Sequence, residues 1–415
     1  MSEKIFIQIA SYRDPELLPT IKDCIHNASQ PENLVFGIAW QHDKQDKWDH
    51  LEPYKNDPRF RILDLDYKES RGACWARNQI QKLYNNEKYT LQLDSHHRFT
   101  NGWDKILKYV YNQCIEDGHK KPLLTGYPPS YYPEKDPIGR VNGVLKTIFH
   151  DFDNDGNLLC RPVAFDSHSP RPILSRFFAG GFSFTSGNFI KEVPYDPNLY
   201  FLGEEISMAV RAFTHGYDLL HPHVCVLWHE YTREKKSKHW SDHPEWHSIQ
   251  NESKSLLDYL FNNEPTTDEY EYGFGKVRTV QDYTIYSGIS IKDQSVQQYT
   301  KDGHVPPNPL SGTFDKKTRR IEKKYEFKNK ILVDRDFFNT EYDFCAVIYE
   351  DRNGVSLHRE DIPKFIIDHL VKTPENEKIP FWSQFDTVSD PIKYTVWLFS
   401  YEKGWLNKIV KKLDF

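Results

Sequence analysis

The chain has 415 residues and a mass of 49.2 kDa, more than one typical domain, so two domains or one large domain with an appendage are expected. Apolar residues make up only 38%, but 10 Trp, 25 Tyr and 26 Phe raise the aromatic share to 15%, enough rings for a core, which argues against wholesale disorder. A formal net charge of −6 argues against a dedicated nucleic-acid binder, and leaves room for a local basic pocket that takes an anionic small ligand.

No signal peptide reads out of the first residues, and no apolar run approaches membrane-spanning length. Six scattered cysteines without a C-x-x-C pair read as reduced, mostly buried thiols, so a soluble protein of a reducing, cytoplasmic compartment is expected.

Along the chain, strand and helix signals alternate. Lys4 to Ala10 reads as a strand and Pro15 to Asn27 as a helix with Leu17, Leu18, Ile21 and Ile25 at helical spacing. Strands follow at Asn33 to Trp40 and Phe60 to Leu65, then a helix over Arg71 to Tyr84 and a short strand, Tyr89 to Leu93, that ends at Asp94. Repeated β–α units imply a mainly parallel sheet, whose ligands sit beyond the carboxyl ends of the strands. Leu123 to Gly126 is a further strand, and a Pro-rich loop leads to a hairpin over Val144 to Val163 with its turn at Asp155-Gly156. Gly180 to Ser186 (strand), Glu204 to His215 (helix), Asp218 to Trp228 (strand) and Trp240 to Phe261 (helix) complete a first domain, 1–265. Residues 266–325 read as a linker or wrapping extension, and 326–415 as a small β-rich, sandwich-like domain with strands at Ile331 to Val333, Phe344 to Tyr349 and Tyr394 to Phe399.

Asp94 directly follows an apolar strand, and His96 stands two residues on. In extended backbone such residues point to one side, so both can converge on one divalent ion. A carboxylate with an imidazole suits Mn²⁺ better than Ca²⁺. Arg71 and Arg77 flank Gly72 at a helix start, a suitable diphosphate seat. Farther on, Gly180-Gly181 permits close approach of a ligand to the backbone. Glu204 and Glu205 open a helix, where its dipole stabilises them, and are candidate acceptors for sugar hydroxyls. His229 follows a strand and is a candidate third metal ligand.

The order of these blocks resembles retaining GT-A glycosyltransferases of the polypeptide GalNAc-transferase type. More specifically it resembles the hydroxyproline GlcNAc-transferases that modify Skp1. The runs that carry the resemblance are Ile9-Ala10-Ser11-Tyr12-Arg13-Asp14, Cys74-Trp75-Ala76-Arg77, Gln92-Leu93-Asp94-Ser95-His96-His97-Arg98-Phe99, Gly102-Trp103-Asp104, Gly181-Phe182-Ser183-Phe184, Val193-Pro194-Tyr195-Asp196-Pro197 and Phe201-Leu202-Gly203-Glu204-Glu205. The likeness covers roughly Met1 to Tyr231, extended by Gly275 to Thr279.

The resemblance implies a GT-A fold, α/β with a Rossmann-like, mainly parallel sheet, followed here by the β-rich domain. It implies a Mn²⁺-dependent (or other divalent-cation-dependent) retaining transfer of a hexose, GlcNAc from UDP-GlcNAc, to a hydroxyl on protein hydroxyproline or on a glycan. A non-catalytic carbohydrate-binding protein on this scaffold is the third reading. Ser11, Tyr12 and Arg13 would hold the uridine. Arg71 and Arg77 would meet the nucleotide or its phosphates. Asp94, His96 and His229 would hold the metal, and Gly181, Glu204 and Glu205 the donor sugar. Glu204-Glu205 stands where the GalNAc enzymes carry Glu-Asn, which weighs against GalNAc as donor.

Asp151 to Gly156 begins like an EF-hand loop, but its twelfth position is Pro162, so a hairpin turn is expected instead. His239, His243 and His247 have i, i+4 spacing, and Pro244 with Trp240 and Trp246 points to packing or acceptor contact. The basic run from Lys316 to Lys324 reads as a solvated face. Trp382, Trp397 and Trp405 read as buried core rather than a sugar-stacking platform.

Overall fold

The computed structural model describes residues 3–413 except 49, 154–155, 166–168, 233–235, 317–324, 353, 372–376 and 388–389. Asp155 of the expected hairpin turn and Lys317, Arg319, Arg320, Lys323 and Lys324 of the basic run lie outside the described residues. The chain divides into two compact units, Met1–Lys317 and Thr318–Phe415.

The first unit begins with β1 (Ile5–Tyr12), α1 (Leu17–Asn27), β2 (Leu34–His42), β3 (Phe60–Asp66), α2 (Ala73–Gln81), β4 (Tyr89–Asp94), β5 (His97–Phe99) and α3 (Trp103–Glu116). It continues with β6 (Pro122–Thr125), the hairpin β7 (Leu145–Phe152) and β8 (Leu158–Ala164), β9 (Ile173–Leu174), β10 (Phe182–Ser186), α4 (Phe189–Glu192), α5 (Glu204–Thr214), β11 (Asp218–His221) and β12 (Leu227–His229). Then come α6 (His239–Asp242), α7 (Trp246–Asn263) and α8 (Val280–Ser287). Eight strands form one sheet in the order β3-β2-β1-β4-β10-β6-β11-β9. Pairing is parallel from β3 to β4 and between β6 and β11, and antiparallel on both sides of β10 and at β9. This is the Rossmann-like, mainly parallel α/β sheet expected.

The period of two in β1 decides what lies on each face. Ile5, Ile7 and Ile9 join Leu17 and Ile21 of α1 and Trp103, Leu107 and Val110 of α3 in one buried cluster. Phe6 faces the other way, against Ala76 and Ile80 of α2. A strand covered on both faces must be apolar nearly throughout, and β1 and β2 are. The same alternation sends Ala10 and Tyr12 toward the α2 side and Ser11 to the opposite one. In the register of β1 with β4, Ala10 lies beside Asp94, so both strands end at one edge.

The expected single strand over Asp218 to Trp228 is two strands in different sheets. Pro222 interrupts the run, because it has no N–H for the ladder. β12 then leaves the main sheet and pairs antiparallel with β5, His229 opposite His97. The expected helix from Trp240 is likewise broken at His243-Pro244 into α6 and α7. The segment 266–316 lies within the first unit: Phe274 and Tyr283 are buried with the apolar face of α5, including Val210 and Phe213.

The second unit holds a two-stranded ladder and a sheet of four strands with a common core of Ile331, Val333, Cys345, Val347, Tyr349, Phe381, Val396 and Leu398. The strands are β16 to β21 once three short ones of the 266–316 segment, β13 (Ile289–Ser290), β14 (Ser295–Gln297) and β15 (Phe314–Lys316), are counted. They are β16 (Tyr325–Asp334), β17 (Phe344–Glu350), β18 (Ser356–Pro363), β19 (Lys378–Thr387), β20 (Lys393–Ser400) and β21 (Gly404–Lys412). The three tryptophans are not its core. Trp382 is 70% exposed, opposite Lys330 on the outer face of the β16–β19 ladder, and Trp405 is 38% exposed. Alternation again explains it, since Phe381 beside Trp382 takes the inward position.

All six cysteines are free; Cys24, Cys74, Cys114 and Cys345 are buried. Among the described residues no helix is long and apolar enough to cross a membrane.

Candidate functional site

The carboxyl ends of β1 and β4 open onto a cavity of ≈550 Å³. Its floor and walls include Ala10, Tyr12, Arg77, Asp94, His96, Gly180, Gly181, Glu204 and Glu205.

Asp94 is the last residue of β4, and His96 follows on the same side of the turn before β5. His229 arrives through the β5–β12 ladder, 135 residues later, with its Nε2 3.2 Å from Asp94 Oδ2. These three side chains bring one ligand atom each within 4.8 Å of one another, the one such group among the described residues. Burial acts to raise the Asp94 carboxyl, but the His229 hydrogen bond and the charge of Arg77 outweigh it and hold it well below the usual carboxylate range. A carboxylate oxygen and two imidazole nitrogens are a donor set that suits a divalent transition metal such as Mn²⁺.

The surroundings fix these three side chains. Arg13 turns the chain after β1 with a left-handed φ of 45°. Asp14 is thereby directed inward, 1% exposed, and takes hydrogen bonds from Ser95 Oγ at 2.6 Å and His96 Nδ1 at 2.7 Å. With Nδ1 so engaged, His96 presents Nε2, the carboxylate–histidine arrangement common behind bound metals. Gly181 closes the other side: a Cβ there would stand 2.9 Å from Asp94 Oδ2 and 3.6 Å from His229 Cδ2. Only glycine leaves that approach open.

Arg77 of α2 does not reach into open space. It is 4% exposed, donates from Nη2 to Asp94 Oδ1 at 2.9 Å, and pairs through Nη1 with Glu204. Tyr195 Oη donates to the same Glu204 oxygen at 2.9 Å. Burial works against the guanidinium charge, but Glu204 reverses this and holds its pKa well above the ordinary value. Glu205 takes the Gly180 N–H at 2.8 Å and the Tyr127 hydroxyl at 2.5 Å. Burial pushes its carboxyl up to about 7, against the lowering effect of those two bonds.

The remaining expected residues divide. Tyr12 lines the cavity and donates to Asp242 at 2.8 Å. Ser11 is fully buried on the other face of β1. Arg13 is held by Asp46 at 2.8 Å and Asp242 at 3.1 Å, and Arg71 is exposed outside the cavity lining. His239 and His243 stack on each other, ring centroids 4.0 Å apart. Their Nε2 atoms meet the backbone oxygens of Ser70 (3.3 Å) and Tyr67 (3.1 Å), so the pair packs on the turn after β3, and His239 also lines the cavity. Asp14, Tyr127, Tyr195 and His97 are the site residues that sequence reasoning did not single out. Asp14 and His97 adjoin motif residues in the quoted runs, but Tyr127 carries no local signal.

The family model described as Glycosyltransferase (GlcNAc) matches residues 4–58 and 50–293. The chain belongs to the GlcNAc glycosyltransferase family. The match spans every residue of the cavity and the cluster and ends before the second unit. Among curated proteins none matches this chain. Among solved structures, GalNAc-T7 with UDP, GalNAc and Mn²⁺ is similar with a TM-score of 0.44 and 16% identity, over 68% of this chain and 53% of that one. The chain thus spans about half the length of GalNAc-T7. TarS 1-349 of S. aureus in complex with UDP-GlcNAc gives a TM-score of 0.39 and 14% identity, over 63% and 67% of the two chains. The mannosyltransferase PcManGT from Pyrobaculum calidifontis with GDP-Man and Mn²⁺ gives 0.36 and 10%, over 62% and 70%.

Proposed function

We propose that this glycosyltransferase moves GlcNAc from UDP-GlcNAc to a hydroxyl with retention of configuration, using Mn²⁺ held by Asp94, His96 and His229. The observation that carries the reading is the convergence of that carboxylate and those two imidazoles beside the Gly181 backbone, at the mouth of one large cavity. A divalent cation there neutralises the negative charge that grows on a departing diphosphate. Asp94, His96 and His229 hold the cation and transfer no proton. Arg77 sets the Asp94 carboxylate from behind. Glu204, fixed by Arg77 and Tyr195, and Glu205, fixed by Tyr127 and the Gly180 N–H, line the cavity with Gly181 and are the groups to meet sugar hydroxyls. Tyr12, at the β1 edge, is the group placed for the uridine. The acceptor is a protein hydroxyproline, as the sequence resemblance implies. A glycan acceptor is the second reading, favoured by Phe201 and Trp240, half-exposed rings 5.8 Å apart on the cavity wall, which suit stacking on a sugar.

Hydrolysis of UDP-GlcNAc is expected to require a divalent cation, to stop with EDTA and to return with Mn²⁺, and hydroxyprolyl peptides or oligosaccharides are expected to accelerate UDP release. No turnover of any UDP-sugar with or without Mn²⁺ would leave only the non-catalytic carbohydrate-binding reading. Gly181→Ala is expected to fold and to weaken Mn²⁺ binding about 10-fold or more, in the range of changes that disturb a ligand's orientation. Calorimetric titration measures it, and an unchanged affinity places the cation elsewhere.

A further inference from the structure

We infer that His97 is a positioning residue for the metal cluster: its Nε2 accepts the Nδ1–H of His229 and so fixes the tautomer that leaves His229 Nε2 for the cation. The inference rests on the metal reading proposed above and adds a residue that is outside the ligand set. His97 is fully buried at the start of β5, directly opposite His229 in the β5–β12 ladder. Its Nδ1 lies 2.9 Å from the Trp228 carbonyl oxygen, which can only accept, so in the neutral ring the proton is on Nδ1 and Nε2 carries a lone pair. That Nε2 is buried and meets no hydrogen-bond partner.

His229 has the complementary vacancy. Its Nε2 faces Asp94, while its Nδ1 is buried and equally unpartnered. A histidine that binds metal through Nε2 carries its proton on Nδ1, and an unpaired buried donor is costly. Three rings surround it: His96 with centroids at 4.6 Å, His97 at 4.9 Å and Tyr231 at 4.3 Å. His96 already has Nδ1 on Asp14, and the Tyr231 hydroxyl is directed to the Pro128 carbonyl. His97 Nε2 is the buried nitrogen of these rings that has an acceptor lone pair and no partner, the complement of His229 Nδ1. An N–H···N bond of about 2.9 Å joins two imidazoles whose centroids are about 5 Å apart, the separation found here. The backbone of His229 is held on both sides, by its N–H on Pro129 O at 2.9 Å and its carbonyl under Tyr131 N–H at 3.1 Å, so the approach of the two nitrogens is left to the side chains. His97 is not a fourth ligand, since the ligand atoms that lie within 4.8 Å of one another come from Asp94, His96 and His229.

The test is Mn²⁺ titration of the full chain, followed by the electron paramagnetic resonance of free and bound Mn²⁺, with thermal melting in EDTA as the control for folding. His97→Phe fills the same space without a lone pair and is expected to weaken Mn²⁺ binding 10- to 100-fold while melting near wild type, the usual cost of losing an outer-shell partner. His97→Gln offers an amide oxygen as acceptor and is expected to recover most of the affinity. Equal affinity in wild type and His97→Phe overturns the inference, and so does an equal loss in the Phe and Gln variants, which would make the residue one of packing only. If wild type itself binds no Mn²⁺, the metal reading fails first, and the inference with it.

Discussion

Asp94→Asn is expected to reduce UDP-sugar turnover to background and to weaken Mn²⁺ binding by more than about 100-fold, since even a partner behind a ligand is worth 10- to 100-fold. The substitution is chosen because it isolates charge from shape. Asn keeps an oxygen for the Arg77 Nη2 hydrogen bond, now 2.9 Å long to Oδ1, but removes the anion that faces His229 and the cation. Arg77 retains Glu204, so no buried charge is stranded and the fold should persist. Calorimetry with Mn²⁺, UDP release and a melting curve together decide the matter. A variant that melts like wild type and still binds Mn²⁺ at full strength would remove Asp94 from the ligand set.

How far the site could be read from sequence follows from the range of each signal. Asp94 and His96 stand two apart after an apolar strand, and period-two geometry places them together with no tertiary knowledge. His229 stands out as a candidate, but its route to Asp94 runs through the β5–β12 pairing, which is non-local, whereas the sequence pattern reads Asp218 to Trp228 as one strand. Arg77 illustrates the opposite limit. A helix-start arginine near a metal motif suits a phosphate, yet whether it points at ligand or protein depends on Glu204, 127 residues away. Ser11 and Tyr12 were grouped as one unit, and alternation along β1 separates them. The parallel sheet was legible because both-face burial demands apolar runs; the breaks at Pro222 and Pro244 were legible only in part, since a proline says where a strand or helix ends and not where the next element pairs. In the second unit the tryptophans misled because large rings usually fill cores, whereas Phe381 and Leu398 occupy the inward positions here.

Glu204→Ala is the substitution expected to cost most in stability, about 3–5 kcal/mol, the range found when one member of a buried ion pair is removed. Glu204 and Arg77 are both about 95% buried, and Tyr195 Oη is also bonded to Glu204 Oε1. Removing the carboxylate leaves the guanidinium with Asp94, a long 3.4 Å bond to Tyr195 Oη and an Nε that already lacks a partner. Glu204→Gln, which preserves the acceptor and loses only charge, should fall between Ala and wild type. The pairing Arg77→Met with Glu204→Leu should be less destabilised than Glu204→Ala, because it leaves no buried guanidinium without Glu204, while Asp94 keeps its His229 hydrogen bond. Denaturant melts of wild type, Arg77→Met, Glu204→Leu and the double variant measure the coupling. The same double variant separates stability from function: Asp94 would keep its fold-given place at the end of β4 but lose the donor that aligns Oδ1, so Mn²⁺ affinity should drop even where the melt recovers. Additive single and double effects would mean that the Arg77–Glu204 contact does not couple these side chains, and that Asp94 is aligned by β4 and His229 without it.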